Sequence, residues 1–349
     1  MPRPDGAGER PQPRLVDVAE RAGVSIATAS RSLSGRDGVS AVVAAHVREV
    51  AATLGYVPNP HARTLAGGAT SVAGLLVYEI GDPYFSEIAS GVISAAAAQG
   101  WSVQISHTER DARAEAAQLR LMRAHRVGAI VVAGSGYVDP AMENDVAREL
   151  EAYQHAGGRA VVIGRHHVRC DAVLPDNSAA AASVAAHVLG LGHRRLAVVA
   201  GPRHLNTVAD RLRGIRSALD AAGLDPGELP VVYGPFTREG GQQATAQVLE
   251  RHPSTTAVLA LNDAMATGVL SVLRERGLAV PRDMSVTGFD DIQVAQDLAP
   301  ALTTARLPMS EMGSTAFELA LRPAAARPRR KPTDHALVVR DSTAPPAVR

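Results

Sequence analysis

The chain has 349 residues, 46% hydrophobic and 20% charged, enough apolar material for a sizeable core and too much for intrinsic disorder to be the default. Its 36 basic residues, all Arg except Lys331, are balanced by 35 acids, and the formal net charge of +1 excludes a polybasic nucleic-acid glue. The single cysteine, Cys170, excludes an internal disulfide and a multi-cysteine zinc site, and no apolar run approaches membrane-spanning length.

Residues 1–13 read as a disordered, Pro-rich tail without the apolar stretch of a secretory signal, which implies a cytoplasmic protein. Three short helices are predicted over 14–56. In the first, Leu15, Val18, Ala19 and Ala22 make one apolar stripe, and Gly23 ends it. Ser25 can cap the second, and Ser40 the third, whose stripe is Val43, Val47, Val50 and Leu54. Two helices joined by a tight glycine turn, with a third closing a small core, form a helix-turn-helix pattern. The alternative is a three-helix cap on an enzyme. Charge does not separate the two, since residues 1–66 hold eight Arg and six acids, a net of +2. A miniature helix follows: Asn59 caps it, Pro60 opens it and Gly67-Gly68 stop it. Seven residues are too few for a stable helix in water, so it forms only when docked.

Val18-Ala19, Gly23-Val24-Ser25, Thr28-Ala29-Ser30-Arg31, Leu33, Val39-Ser40 and Leu54-Gly55-Tyr56-Val57-Pro58-Asn59, with Ala62 and Leu65, resemble the headpiece and hinge of the LacI/GalR regulators. The resemblance implies a DNA-binding headpiece over 14–58 and a hinge helix and linker over 59–69. It places Arg14, Ser25, Thr28, Ser30, Arg31, Ser40, Tyr56, Asn59 and Ala62 at DNA. Ile26 and Ala27 occupy the positions that vary with operator sequence. Both are apolar, so their readout falls to thymine methyls or groove shape. Ile26 also shares a stripe with Ala29 and Leu33, and core packing is its other reading. Leu65 matches the wedge that opens a central base step in the minor groove. Arg14 and Val43-Ala44 replace residues that commonly touch phosphate, which implies fewer backbone contacts.

From Val72 onward, β-branched runs alternate with Ala-rich helical stretches. Strands are predicted at 72–78, 101–106, 127–133, 159–164, 172–175, 195–201, 231–233, 256–261, 285–289 and 335–340. Helices are predicted at 83–99, 112–125, 140–156, 178–191, 207–222, 238–251, 263–276 and 309–321. This alternation means parallel sheets flanked by helices, with ligands at the C-terminal strand ends. Asp82-Pro83-Tyr84-Phe85, Pro175-Asp176-Asn177, Arg211-Leu212-Arg213-Gly214, Leu261-Asn262-Asp263 and Gly288-Phe289-Asp290-Asp291 extend the resemblance to the same family's sensor. It implies a bilobed periplasmic-binding-protein-like domain over 70–349. Its first lobe would cover about 72–168 plus 305–328, and its second about 169–300 plus 333–345. The basic run 327–331 reads as a solvated loop between lobes.

The resemblance places Tyr84, Phe85, Thr207, Arg211, Phe236, Asn262 and Asp290 around an effector. Forked donors and acceptors suit vicinal hydroxyls, and aromatic faces suit a sugar ring. Each has a structural alternative: Phe236 as core, Arg211 with Asp290 as an ion pair, Asn262 as a helix cap. Gly164 stands where many sugar-binding relatives carry Asp, and the adjacent His166-His167 lack a visible third metal ligand. Leu205 stands where a purine-responsive relative has Arg. The function implied is a homodimeric regulator, a repressor of a pseudopalindromic operator, controlled by a small molecule of the carbohydrate class. It has no catalytic residue, metal or cofactor, and no membrane partner. No leucine heptad points beyond a dimer. The alternatives are a solute-binding protein without DNA function, a nucleoside- or purine-responsive regulator, and an enzyme, for which the phosphate-loop, zinc-protease and nucleophile-elbow motifs are all missing.

Overall fold

The chain divides into two compact units, Met1–Thr70 and Ser71–Arg349. A computed structural model of the protein describes residues 13–34, 37–57 and 70–347. In the first unit, α1 (Leu15–Arg21) opens where the Arg14 amide donates to Asp17 Oδ2 at 2.6 Å. Ser25 Oγ accepts from the Thr28 amide at 3.1 Å and starts α2 (Ile26–Ser34). Ser40 plays the same part for α3 (Ala41–Leu54). The three enclose Val18, Ala19, Ala29, Val47 and Ala51, with Leu15, Leu33, Val43, Leu54 and Tyr56 packed around them. The expected hinge, with Asn59, Ala62 and Leu65, lies outside the described residues.

In the second unit, the first lobe holds a parallel sheet ordered β11-β5-β4-β3-β1-β2. These strands are β1 (Val72–Val77), β2 (Ser102–His107), β3 (Ala129–Ala133), β4 (Arg159–Ile163), β5 (Asp171–Pro175) and β11 (Arg330–Thr333). β3 is buried throughout and β1 and β4 nearly so, as strands covered on both faces must be, whereas no residue of edge strand β2 is fully buried. Its helices are α4 (Pro83–Ala98), α5 (Ala112–Ala124), α6 (Asn144–His155) and α11 (Met309–Leu321). The second lobe holds β6 (Leu196–Ala200), β7 (Val231–Tyr233), β8 (Ala257–Ala260) and β9 (Ser285–Thr287), ordered β7-β6-β8-β9 and parallel. It carries α7 (Asn177–Gly190), α8 (Asn206–Ala221), α9 (Arg238–Arg251) and α10 (Asp263–Glu275). A small antiparallel pair, β10 (Thr304–Arg306) with β12 (Ala336–Val338), completes the described strands.

Two expectations are corrected. Asp171–Pro175 belongs to the first lobe, not the second: Val161, Val162 and Ile163 of β4 pair with Asp171, Ala172 and Val173. The run 327–331 is not a free loop. Arg330–Thr333 forms the edge strand β11, anchored because the Asp171 carboxylate accepts from the Arg329 amide at 2.6 Å and its guanidinium at 2.8 Å. Lys331 and Pro332 suit an edge, where a missing N–H costs nothing and charge discourages further pairing. The helix predicted over 140–156 splits into a 3₁₀ turn, Pro140–Glu143, and α6.

Helix pairs in both lobes approach to backbone contact. Gly91 of α4 faces the Ser310 carbonyl at the start of α11, and Gly313 of α11 faces the Ile88 carbonyl of α4. Gly241 of α9 and Gly268 of α10 form the same reciprocal contact, and Gly214 of α8 sits on Ser178 of α7. Any side chain at these positions would fall inside a neighbouring carbonyl.

Cys170 is 1% exposed, and burial beside Asp171 pushes its thiol up to about 12. The folded protein is expected to leave an aromatic disulfide reagent unreacted at pH 8 and to consume one equivalent only after denaturation.

Candidate functional site

The first unit presents a helix start that is polar apart from two exposed apolar residues, Ile26 and Ala27. Arg14, Ser25, Ile26, Ala27, Arg31 and Ser40 are exposed, while Thr28, Ser30 and Tyr56 are half-buried. Ser25 and Thr28 hydroxyls share a hydrogen bond at 2.8 Å, and Arg31 Nε donates to the Ala27 carbonyl at 3.3 Å. Ile26 is 53% exposed whereas Ala29 is fully buried, so the Ile26–Ala29–Leu33 stripe does not all point into the core. Periodicity alone could not separate the two faces of so short a helix.

The second candidate site is a cleft at the C-terminal ends of the strands of both lobes, with about 480 Å³ of empty space counted out into open solvent. It is lined by all seven residues expected there: Tyr84, Phe85, Thr207, Arg211, Phe236, Asn262 and Asp290. Arg211 organises the second-lobe wall. Its Nε donates to Asn177 Oδ1 at 2.8 Å, one terminal nitrogen donates to the Leu261 carbonyl, and the other meets Asp290 at 3.0 Å. Its guanidinium also lies 3.7 Å from the Phe289 ring centre. The structural alternatives therefore hold alongside the cleft positions. Arg211 and Asp290 are a buried ion pair, and Asn262 caps α10 by accepting from the Met265 amide at 2.8 Å. Burial pushes the Asp290 carboxyl up, and Arg211 opposes this. These three bonds use three of the five N–H groups of Arg211.

The first-lobe wall was less legible. Arg110 lines the cleft with its guanidinium 5.7 Å from the Phe85 and Phe236 rings and 6.0 Å from Tyr78, and 3.7 Å from Asp82. Ser135, Tyr78 and Asn177 also reach the cleft. Arg110 follows β2 closely, so the rule that ligands meet strand ends could have found it; no local motif marks it. Gly164 is required by close approach. Its φ is +101°, and a Cβ would stand 2.8 Å from Ser135 Cα. A side chain at that position would be strained and would crowd Ser135, and the carboxylates lining this cleft are Asp82 and Asp290.

The lobes touch directly beside the cleft. The Thr207 amide donates to Ser135 Oγ at 3.0 Å, the Asn206 amide to the Gly136 carbonyl at 2.9 Å, and the Val138 amide to the His204 carbonyl at 2.8 Å. Tyr137 stacks on His204, with ring centres 5.8 Å apart, and Arg165 pairs with Asp210 at 2.8 Å. His166 is buried against the Gly134 carbonyl. Among the described residues no three His, Cys, Asp or Glu side chains group to hold a metal, and no helix is long and apolar enough to cross a membrane.

Comparison with known proteins gives two family matches: residues 14–59 fit "Bacterial regulatory proteins, lacI family", and residues 185–343 fit "Periplasmic binding protein-like domain". The chain is 30% identical over 336 residues to the HTH-type transcriptional regulator DegA of Bacillus subtilis, covering 95% of this chain and 98% of that protein. A transcriptional regulator CelR–cellobiose complex superposes with a TM-score of 0.71 at 30% identity, over 95% of this chain and 99% of that one. The lac repressor dimer bound to operator and the anti-inducer ONPF superposes with a TM-score of 0.81 at 27% identity, with the same coverage.

Proposed function

Because the chain belongs to the LacI family of bacterial regulatory proteins and is a DNA-binding transcriptional regulator rather than an enzyme, we propose that it acts in the cytoplasm as a dimeric repressor released or engaged by a neutral, polyhydroxylated effector. One observation carries the effector class. The four charged residues lining the cleft are matched, Arg211 with Asp290 at 3.0 Å and Arg110 with Asp82 at 3.7 Å. An anionic effector finds no spare cation there. A sugar finds guanidinium N–H groups, the Asn262 and Thr207 side chains, and aromatic faces from Tyr84, Phe85 and Phe236. Leu205, 2% exposed in the same wall, offers a nucleobase only an apolar contact. The cellobiose complex of CelR supports the same class.

A thermal-shift panel of neutral sugars, sugar phosphates and nucleosides tests it. Stabilisation by a neutral sugar, followed by a changed operator affinity in its presence, is the expected result. Stabilisation confined to phosphorylated sugars or nucleosides would overturn it.

At the headpiece, Arg14, Ser25, Thr28, Ser30, Arg31, Ser40 and Tyr56 would hold the duplex, while Ile26 and Ala27 meet thymine methyls in the major groove. Ile26→Ala is expected to change stability by no more than about 0.5 kcal/mol, since the side chain is exposed. On duplexes selected from a random pool, replacing single dT by dU should weaken binding of the parent, and the same replacement should leave the Ile26→Ala variant unaffected. Fluorescence anisotropy measures both.

A further inference from the structure

The Tyr137 hydroxyl lies 2.8 Å from Glu115 Oε1 and 3.0 Å from the Arg110 carbonyl. A phenol has one proton to donate, and a carbonyl can only accept. Both contacts are full two-centre hydrogen bonds at once only if Glu115 is itself protonated. Its carboxylic acid then donates to the phenol oxygen, and the phenol donates to Arg110. Glu115 and Tyr137 are each 1% exposed, so water does not supply the missing donor. Arg110 has a left-handed backbone, φ 61°, which is uncommon for a side chain of its size, so the hydrogen bond to its carbonyl holds a disfavoured conformation.

We propose that Glu115 carries a proton while the cleft is closed and releases it when the lobes part, acting through Tyr137 and the Arg110 backbone as a positioning residue for the effector. This rests on the cleft being the effector site. The link to closure is spatial. Tyr137 is the first-lobe residue that His204 of the second lobe covers, and Arg110 reaches across the cleft to Phe236. Parting the lobes uncovers Tyr137 and lets water reach Glu115.

The groups facing Glu115 come from several elements: Asp111 at the start of its own helix α5, Tyr137 and Glu143 beyond β3, His166 beyond β4, and Tyr78 beyond β1. Burial pushes Glu115 up to about 7, against the Tyr137 hydrogen bond and the His166 ring, while Glu143 and Asp111 push it the same way as burial. Glu143 holds the negative charge of the cluster. Burial raises it, but the His166 ring and the amides of His167 and Tyr137 more than offset that, and its carboxyl lies below the ordinary value. With Glu115 at about 7 when closed and near its ordinary 4.5 when wetted, closure binds a proton between those values and weakens as pH rises through 7. The closure equilibrium should fall about tenfold from pH 6 to pH 8.

Hydrogen exchange reads this without any effector, because the Val138, Asn206 and Thr207 amides are bonded across the lobes. After correction for intrinsic exchange, the parent should protect these amides about tenfold more at pH 6 than at pH 8. Glu115→Gln, whose amide donates to the phenol at every pH, should protect them equally at both. A parent without pH dependence, or a variant that keeps it, would overturn the proposal. Carbon-13 spectra of the parent labelled at glutamate carboxyls give a second reading: a Glu115 midpoint near 7 supports it, and one near 4.5 defeats it even if the variant does not fold. Since no sugar is used, failure of the effector assignment shows up separately, as a protein that passes these measurements and binds no sugar.

Discussion

Arg211→Ala should abolish the response to effector and destabilise the second unit by about 3–5 kcal/mol, the usual cost of removing one partner from a buried ion pair. Arg211 is 4% exposed and Asp290 4% exposed, and the guanidinium also satisfies Asn177 Oδ1 and the Leu261 carbonyl. Its loss leaves a buried carboxylate and two acceptors without donors. Much of the penalty is therefore the stranded charge, which a double variant exposes. Arg211→Ala with Asp290→Ala should be less destabilised than Arg211→Ala alone, as chemical denaturation would show. The penalty should also depend on pH. Burial already pushes the Asp290 carboxyl up, and without Arg211 nothing opposes it. The folded variant then takes up a proton that its unfolded chain releases, so Arg211→Ala should be less destabilising at pH 5 than at pH 8. Operator binding by the folded variant should persist. Equal effector affinity in variant and parent by calorimetry would remove Arg211 from the site.

Gly91→Ala should be as damaging with one methyl group as many larger changes, costing about 3 kcal/mol or more. The added carbon falls inside the Ser310 carbonyl, and backbone cannot swing aside as a side chain can. The same holds for Gly313 against Ile88, since the two glycines form one contact seen from both helices. A change at Gly100, by contrast, meets nothing within 4 Å and differs only through its left-handed φ of +71°. Thermal denaturation of the variants separates packing from backbone strain: Gly91→Ala should lower the midpoint more than Gly100→Ala. Equal shifts would mean that the helices slide apart without cost.

The helices of the second unit were legible because Ala-rich stretches flanked by caps such as Asp82, Asp111 and Asn262 have few other ways to satisfy their first amides. The long strands were legible as unbroken β-branched runs. β10 and β11 were not, because Thr304–Arg306 and Arg330–Thr333 carry no apolar run and exist only through the strands beside them. The lobe of Asp171–Pro175 was missed for the same reason, since pairing partners are not written in a strand's own residues. In the cleft, the second-lobe residues followed recognisable strand ends. Arg110 and Ser135 also lie just past strand ends, but no motif marks them, and Glu115 lies behind the cleft, where its contact with Tyr137 has no spacing signature. Ile26 faced outward for reasons that only the packing of α1 and α3 reveals.

The place of α11 and β11 in the first lobe has a consequence for biosynthesis. The DNA-reading helices are complete once Leu54 has left the ribosome, yet α4 waits for α11, whose Ser310 and Gly313 meet its Gly91 and Ile88, and β5 for Arg330–Thr333 to occupy its open side. The sensor's first lobe is therefore assembled from segments far apart in the sequence, and a chain interrupted before Met309 would carry finished reading helices and an unfinished sensor.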